Sequence, residues 1–498
     1  MEFNRILIIA SIMVATLMQA LDMTIVNVAL PHMQGSLSAK PDQITWILTS
    51  YMVASAIFMP LTGYFTDILG QKKYLMISIG GFVISSALCG LSINITQIVI
   101  FRLLQGIFGA AIVPLSQTIM TNLFSDQDRG KAMAIWGVGV MVGPIIGPTL
   151  GGYITELATW RWNFYINVPI GIVCLLLLWQ NLPSSSTKSR NIDWTGLILI
   201  SISIGALQYF LDRGNQVDWF ESKEICIATF LSIISFLGFM LHNLVKKDKK
   251  TVFDLSIFSD RNFAISSTLL AMFGLGLFGS MVILPMLLEN LFDYPVITTG
   301  LVMAPRGITT MCSMIIVGIL IKKIDARFLI LTGIIIGSIG TYLGTYYSLY
   351  VSPGWFVGPI MLQGLGLGMV FVPLTTVAFA TLPVNTRSEA SGLFSLLRTI
   401  GGSIGISIVS TLLIREEQTA WNQLGGFINP FNPALVTRIE HWHQSIITVP
   451  TKSSSTILAL SLARQSQMQA FVNIYAFITI SFLVMIPLIF LLKKPKTY

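Results

Sequence analysis

One acid stands deep in an apolar run: Asp22, within LDMTIVNVALP (Leu21–Pro31), in a stretch that turns apolar near Ile6. An ionised carboxylate at mid-membrane costs roughly 2.5–3.5 kcal/mol on insertion scales. A cost of that size marks a group with a use, and a lone carboxylate there can take up and release a proton. Buried cations are as scarce, with Arg102, Arg306 and Arg398 the arginines inside apolar runs. At 1.5 Å per residue, Asp22 and Arg102 lie ~12 Å and ~8 Å below the outer ends of their runs, so they can meet in a cavity between helices. Desolvation makes a carboxylate hold its proton and a nearby guanidinium makes it let go. An acid balanced between the two can carry protons, driven by ~2.3 kcal/mol per charge per 100 mV.

Composition states the solvent around these groups. The chain has 498 residues, 54% hydrophobic and only 10% charged, with a mean hydropathy of +0.76. Soluble domains carry about a quarter charged residues, so this is a polytopic protein of the lipid bilayer. The first apolar run is too long for a signal-peptide core and reads as a retained span. Cys89, Cys174, Cys226 and Cys312 form no CxxC pair and read as small packing residues. His441 and His443, two apart on a helix, point to different sides and are no zinc pair. No nucleophile–base or metal-ligand constellation speaks for an enzyme, and no cofactor is expected beyond the proton itself.

Fourteen segments are long enough to cross a bilayer: about 6–30, 44–66, 74–93, 97–122, 131–155, 162–182, 194–212, 224–244, 263–290, 297–321, 328–348, 355–380, 390–414 and 468–492. The even count puts both ends on one side. With that side inside, inner segments hold 19 Lys and Arg and outer ones 8, so both termini are expected in the cytoplasm. Topology thus accounts for the net charge of +8 without nucleic acid. Pro183–Asn191 (PSSSTKSRN) reads as a linker. Arg415–Ser466 is the only long loop, expected outside, with helical character over Ala434–Ile447.

The chain repeats internally. RLLQGIFGAAIVPLSQTIM (Arg102–Met120) and MLQGLGLGMVFVPLTTVAF (Met361–Phe379) share LQG and VPL, and VALPHMQGSL (Val28–Leu37) is echoed by VILPMLLENL (Val282–Leu291). Six spans therefore repeat as six, with two between them, the parallel arrangement of transporters whose halves rock about a midplane site. The expected fold is an all-α membrane protein of two six-helix bundles, residues 1–182 and 251–498, with two linker helices in 183–250.

Two further stretches bear on motion. In span five, Gly139, Gly143, Gly147 and Gly151 recur every fourth residue, and Pro144 and Pro148 interrupt the helix. Glycines at that spacing share a face and allow close helix approach, while each proline kinks the helix. Such a helix suits a hinge or seal. The loop GYFTDILGQKK (Gly63–Lys73) puts Asp67 at an inner helix end, where it can cap a helix or pair with a base such as Arg129 and latch that face.

These stretches, with RLLQGIFGAA, GVGVMVGPIIGPTLGG and WRWNFYINVPIG (Trp160–Gly171), resemble the successive motifs of the major facilitator superfamily, and more narrowly its fourteen-helix drug:proton antiporters. LDRGNQVDWFES (Leu211–Ser222), DLSIFSDRNF (Asp254–Phe263) and NPFNP look like the EmrB type. The resemblance implies export of hydrophobic drugs or toxins by alternating access, coupled to proton entry. It implies proton coupling at Asp22 and Arg102, a transport path past Gln105, Arg398 and Asn27, and the antiporter motif at Gly139, Gly143, Pro144, Gly147, Pro148 and Gly151. It assigns the cytoplasmic gate to Gly63, Asp67, Gly70, Lys72 and Arg129. Ile68 and Gln71 depart from the arginines usual in that gate. The implied setting is a bacterial inner membrane, with a periplasmic adaptor of the EmrA kind and an outer-membrane channel of the TolC kind. A lipid, fatty acid or siderophore cargo is the alternative, and a non-transporting scaffold or sensor the competitor from another class.

Overall fold

In a computed structural model, residues 2–183, 187, 193–245, 254–429, 431–433, 435–437 and 451–493 are described. Most of the Pro183–Asn191 linker, most of Ala434–Ile447, and His441 and His443 lie outside them.

Fourteen membrane-length helices follow one another: α1 (Glu2–Ser36), α2 (Trp46–Leu69), α3 (Gln71–Leu91), α4 (Ile95–Leu123), α5 (Arg129–Leu157), α6 (Trp162–Asn181), α7 (Trp194–Arg213), α8 (Lys223–Val245), α9 (Arg261–Met286), α10 (Val296–Leu320), α11 (Ala326–Leu343), α12 (Pro353–Ala380), α13 (Arg387–Gly425) and α14 (Thr451–Leu483). In lipid the backbone must satisfy its own polar groups, and the apolar runs do so as helices. α5 counts as one span although it bends by 43° between Pro144 and Thr149, where the two prolines withdraw backbone donors. α2 tightens to a 3-10 turn at Met59–Leu61, around Pro60.

The first and last six helices pack alike. α1 lies on α5, α2 and α3 on α4; correspondingly α9 lies on α13, and α10 and α11 on α12. α7 and α8 pack on each other, and α7 also reaches α2 and α13. Much of α8 is apolar and exposed, including Ile227, Phe230, Ile233 and Leu237, a surface that suits lipid.

Both ends of the described chain share a face, here termed the terminal face. Arg5 of α1 lies over the Phe124 ring that follows α4, 4.3 Å from its centroid. Asp128, just beyond, bonds Lys322 after α10. The Lys493 N–H, past α14, donates to Asn262 at the start of α9.

The long loop expected over Arg415–Ser466 is shorter. α13 continues to Gly425 and α14 begins at Thr451. Polar helix formers in REEQTAWNQL (Arg415–Leu424) carry the helix past the apolar run, until Gly425 and Gly426 stop it. Asn473 of α14 donates to Glu416 of α13 at 2.6 Å, joining the two helices as they leave the apolar region.

Candidate functional site

Asp22 and Arg102 meet. The Arg102 Nη1 lies 2.6 Å from Asp22 Oδ2, with the residues 1% and 0% exposed. The carboxylate's other oxygen accepts from Gln105 Nε2 at 2.9 Å and from Asn167 Nδ2 at 3.0 Å. Arg102 also donates to Gln105 Oε1 at 2.8 Å and, through Nε, to the Ile47 carbonyl at 3.2 Å. Its guanidinium lies over the Tyr51 ring at 4.3 Å. The Tyr51 hydroxyl accepts from Gln19 at 3.1 Å.

Local geometry puts each group there. Arg102 and Gln105 are three apart on α4 and share a helix face. Gly106, next in line, lets α4 close on α2: a Cβ there would come 2.5 Å from the Tyr51 carbonyl. Asn167 opens the long segment of α6, and its amide also donates to Ser86 of α3 at 3.0 Å. Three helices of the first bundle, α1, α4 and α6, thus meet at the carboxylate, and α2 and α3 hold its donors from behind. A buried ion pair stands only when geometry is good and the remaining lone pairs are satisfied, and here both oxygens of Asp22 are used. Taking away the carboxylate's charge would free the Arg102 guanidinium to rest on Ile47, Gln105 and the Tyr51 face.

Asn167, Tyr51 and Ser86 were not expected at the site. The signal for Asn167 was an amide in an otherwise apolar helix, in the quoted YINVPIG. Asn27 does not join the node; it is exposed, beyond Asp22 on α1. Arg398, in the other bundle, is partly buried and has no hydrogen bond or ion pair among the described residues. Seven residues earlier on the same helix, Ser391 bonds Gln117 of α4 at 2.7 Å. Seven residues later, Gly405 lies against Leu275 of α9, where a Cβ would come 2.5 Å from the Leu275 Cα. Arg398 therefore lies in the first third of α13, at a level that already meets α9, where a Cβ on Gly274 would come 2.9 Å from the Arg398 carbonyl.

The glycine stripe of α5 faces α1 at the height of Asp22. A Cβ on Gly143 would sit 2.5 Å from the Ala20 Cβ, and one on Gly151 2.6 Å from the Ile25 carbonyl. Gly139 faces Met13 and Gly147 faces Thr24. The Thr24 hydroxyl donates to the Gly143 carbonyl at 3.3 Å. The opposite side of α5 meets α10, where a Cβ on Gly318 would come 2.6 Å from the Ala134 Cβ. The stripe therefore serves α1, and the seam with the other bundle is made by the reverse side of the same helix. Pro144 and Pro148 fall within the 43° bend.

The two bundles are bonded at the terminal face. Lys322 reaches Asp128 at 2.7 Å, Arg129 donates to the Ala380 carbonyl at 3.3 Å, and Arg387 to Asn122 at 3.2 Å. Ser388 meets Thr66 at 3.0 Å, and Ser391 donates to Gln117. Gly63 lies against Glu389, where a Cβ would fall 2.6 Å from the Glu389 Cα. Gly70 turns the chain from α2 to α3 at φ 78°, a conformation that glycine adopts without strain. Asp67 lies one turn before it on α2. Lys72 caps the C-terminal end of α6 through the Trp179 carbonyl at 2.7 Å, within the first bundle. Lys322 and Asp128 had not been expected here.

Residues 12–406 match the family model described as Major Facilitator Superfamily, and the chain belongs to that family. It is a multi-pass secondary transporter, not an enzyme. It is 36% identical over 490 residues to the multidrug export protein EmrB of Escherichia coli K12, across 97% of this chain and 94% of that one. It is 33% identical over 487 residues to the fatty acid resistance protein FarB of Neisseria gonorrhoeae, across 97% and 95%. Among solved structures, the human organic anion transporter MFSD10 aligns with a TM-score of 0.62 at 13% identity, over 97% of this chain and 99% of that one. The proton:xylose symporter XylE gives 0.60 at 14%, over 96% and 95%. These two likenesses concern the fold.

Proposed function

We propose that this protein exports hydrophobic compounds from a bacterial cell in exchange for protons. Asp22 is the proton-coupling acid, and the observation that carries the reading is its complete burial against Arg102, Gln105 and Asn167. Protonation discharges the ion pair, and a buried guanidinium that loses its partner must re-seat. Because Asp22 lies on α1, against the bent α5, the change reaches the α5–α10 seam. With the terminal face as the cytoplasmic face, as the basic residues require, the structure described here is the state closed to the cytoplasm. Its setting is the inner membrane, and the projecting ends of α13 and α14 are offered to a periplasmic adaptor that leads to an outer-membrane channel.

Asp22→Asn is the test. It keeps the volume of the side chain and one acceptor oxygen, but replaces the other with an amide donor and cannot be charged. In everted vesicles, substrate-dependent proton release should fall at least 100-fold while the variant still inserts, with a lower Tm because Arg102 loses its buried counter-charge. Wild-type proton movement in the variant would refute the role given to Asp22.

A second reading of the cargo, a hydrophobic acid such as a fatty acid, is favoured by Arg398. A partly buried cation on α13 without a protein counter-ion suits a substrate that bears a carboxylate, and FarB is a relative. Arg398→Gln should then cut export of a fatty acid at least tenfold more than export of a neutral dye. Equal losses would leave the cargo neutral.

A further inference from the structure

The second bundle has a buried arginine of its own, supplied by a different helix from that of Arg102, and no acid at the place that matches Asp22. By the repeat, Gln363 of α12 matches Gln105, and Gly276 of α9 matches Asp22. A side chain cannot be added at Gly276, because a Cβ there would come 2.6 Å from the Phe482 ring. A charge is nonetheless present. Arg306 of α10 is only 6% exposed, and it donates through Nη2 to the Ser280 hydroxyl at 2.9 Å. Its Nη1 is buried and has no hydrogen-bond partner among the described residues. No carboxylate among the described residues is bonded to it.

Arg306 borders a cavity of about 20 Å³ that it shares with Ser280, Thr341, Gln363, Phe273 and Phe482. A guanidinium does not deprotonate in proteins, and an uncompensated buried charge costs several kcal/mol. The first bundle meets that cost with Asp22. In the second, the position that matches the acid is blocked by a ring, and Arg306, whose Nη1 has no partner among the described residues, lines a cavity. About 10–15 Å³ admits one water-sized occupant, so the space suits one small particle.

We propose that this cavity binds one small monovalent inorganic anion of chloride size, on Arg306 Nη1, as the counter-ion of the second bundle. A bound anion would offset the charge of Arg306, the more deeply buried of the second bundle's two cations without a bonded carboxylate. The Ser280 hydroxyl, which donates to the Leu277 carbonyl at 2.8 Å, holds the guanidinium in place by accepting from Nη2. The site stands apart from the transport reading and needs no transported substrate to be tested.

The purified protein in detergent is exchanged into gluconate, then titrated with chloride or bromide at constant ionic strength. Saturable binding of radioactive chloride at one site per chain, with a parallel rise in Tm, is expected. Arg306→Met should abolish both, and Arg398→Met should keep both. Ser280→Ala, a milder change that covers the case of a misfolded Arg306 variant, should weaken halide binding about tenfold. Folded wild-type protein without saturable halide binding, so that water is the occupant, overturns the proposal. So does halide binding that survives Arg306→Met.

Discussion

At the scale of residues, the molecule concentrates its polar chemistry in one place and leaves two cations outside it. The Asp22 carboxylate has three donors, and each can be removed singly. Arg102 supplies charge; Gln105 and Asn167 supply direction. Asn167→Leu takes a donor from a buried anion, a loss of about 1–3 kcal/mol. Proton-coupled efflux by that variant should fall about tenfold, with a lower Tm. Ser86→Ala removes only the neutral bond to Asn167 and should cost less by both measures. If the two variants behave alike in a vesicle efflux assay, Asn167 acts only by packing. Asp22 and Arg102 could be paired from sequence because a charge in an apolar run is conspicuous, and helical rise gives its depth. Tyr51, Ser86 and Asn167 could not be, since an aromatic or amide in a membrane helix has many uses and depth does not fix azimuth.

At the scale of elements, α5 does two jobs on two faces. Its glycines admit α1, and its reverse side meets α10. The glycine period was legible as close packing, but the identity of the partner was not, because spacing names a face and no neighbour. The span count and order were legible throughout, since about 20 apolar residues have few other uses. Helix ends beyond the lipid were not: hydropathy reports where the membrane stops, and α13 runs on to Gly425 on helix propensity alone. The loop between α4 and α5 gives a test of the terminal-face seal. Asp128 is exposed, and the hydrogen bond from Lys322, with Lys131 assisting, holds its carboxyl below the usual carboxylate range. A folded-state value lowered in this way gives a contact that is complete above the ordinary carboxylate range and is lost as pH falls through the lowered value. Acidifying the terminal side should therefore loosen the α5–α10 end. Paired spin labels beside residues 128 and 322 should report longer distances at acid pH. Asp128→Asn should remove that pH dependence, and its persistence would assign the acid response elsewhere.

At the scale of the whole molecule, the bundles are alike in packing and unlike in charge. The first holds an acid and its base in balance; the second holds Arg306 and Arg398 with no bonded carboxylate. This asymmetry is visible in sequence as the absence of an acid over Gly274–Gly279, the place in span nine that matches Asp22. Its meaning needed the structure, which puts Phe482 against Gly276 and a space beside Arg306.

The two inserted helices carry a mechanical corollary. α7 is fastened to both bundles: Asp212 accepts from Thr49 of α2, and Gln208 donates to Ser403 of α13 at 2.9 Å. The opposite flank, α5 on α10, meets by direct contact. Any stroke that draws α2 towards α13 at the end away from the termini must therefore yield at one of these two fastenings. One flank is thus bridged by a helix that belongs to neither six-helix bundle, and the other is closed by the bundles themselves.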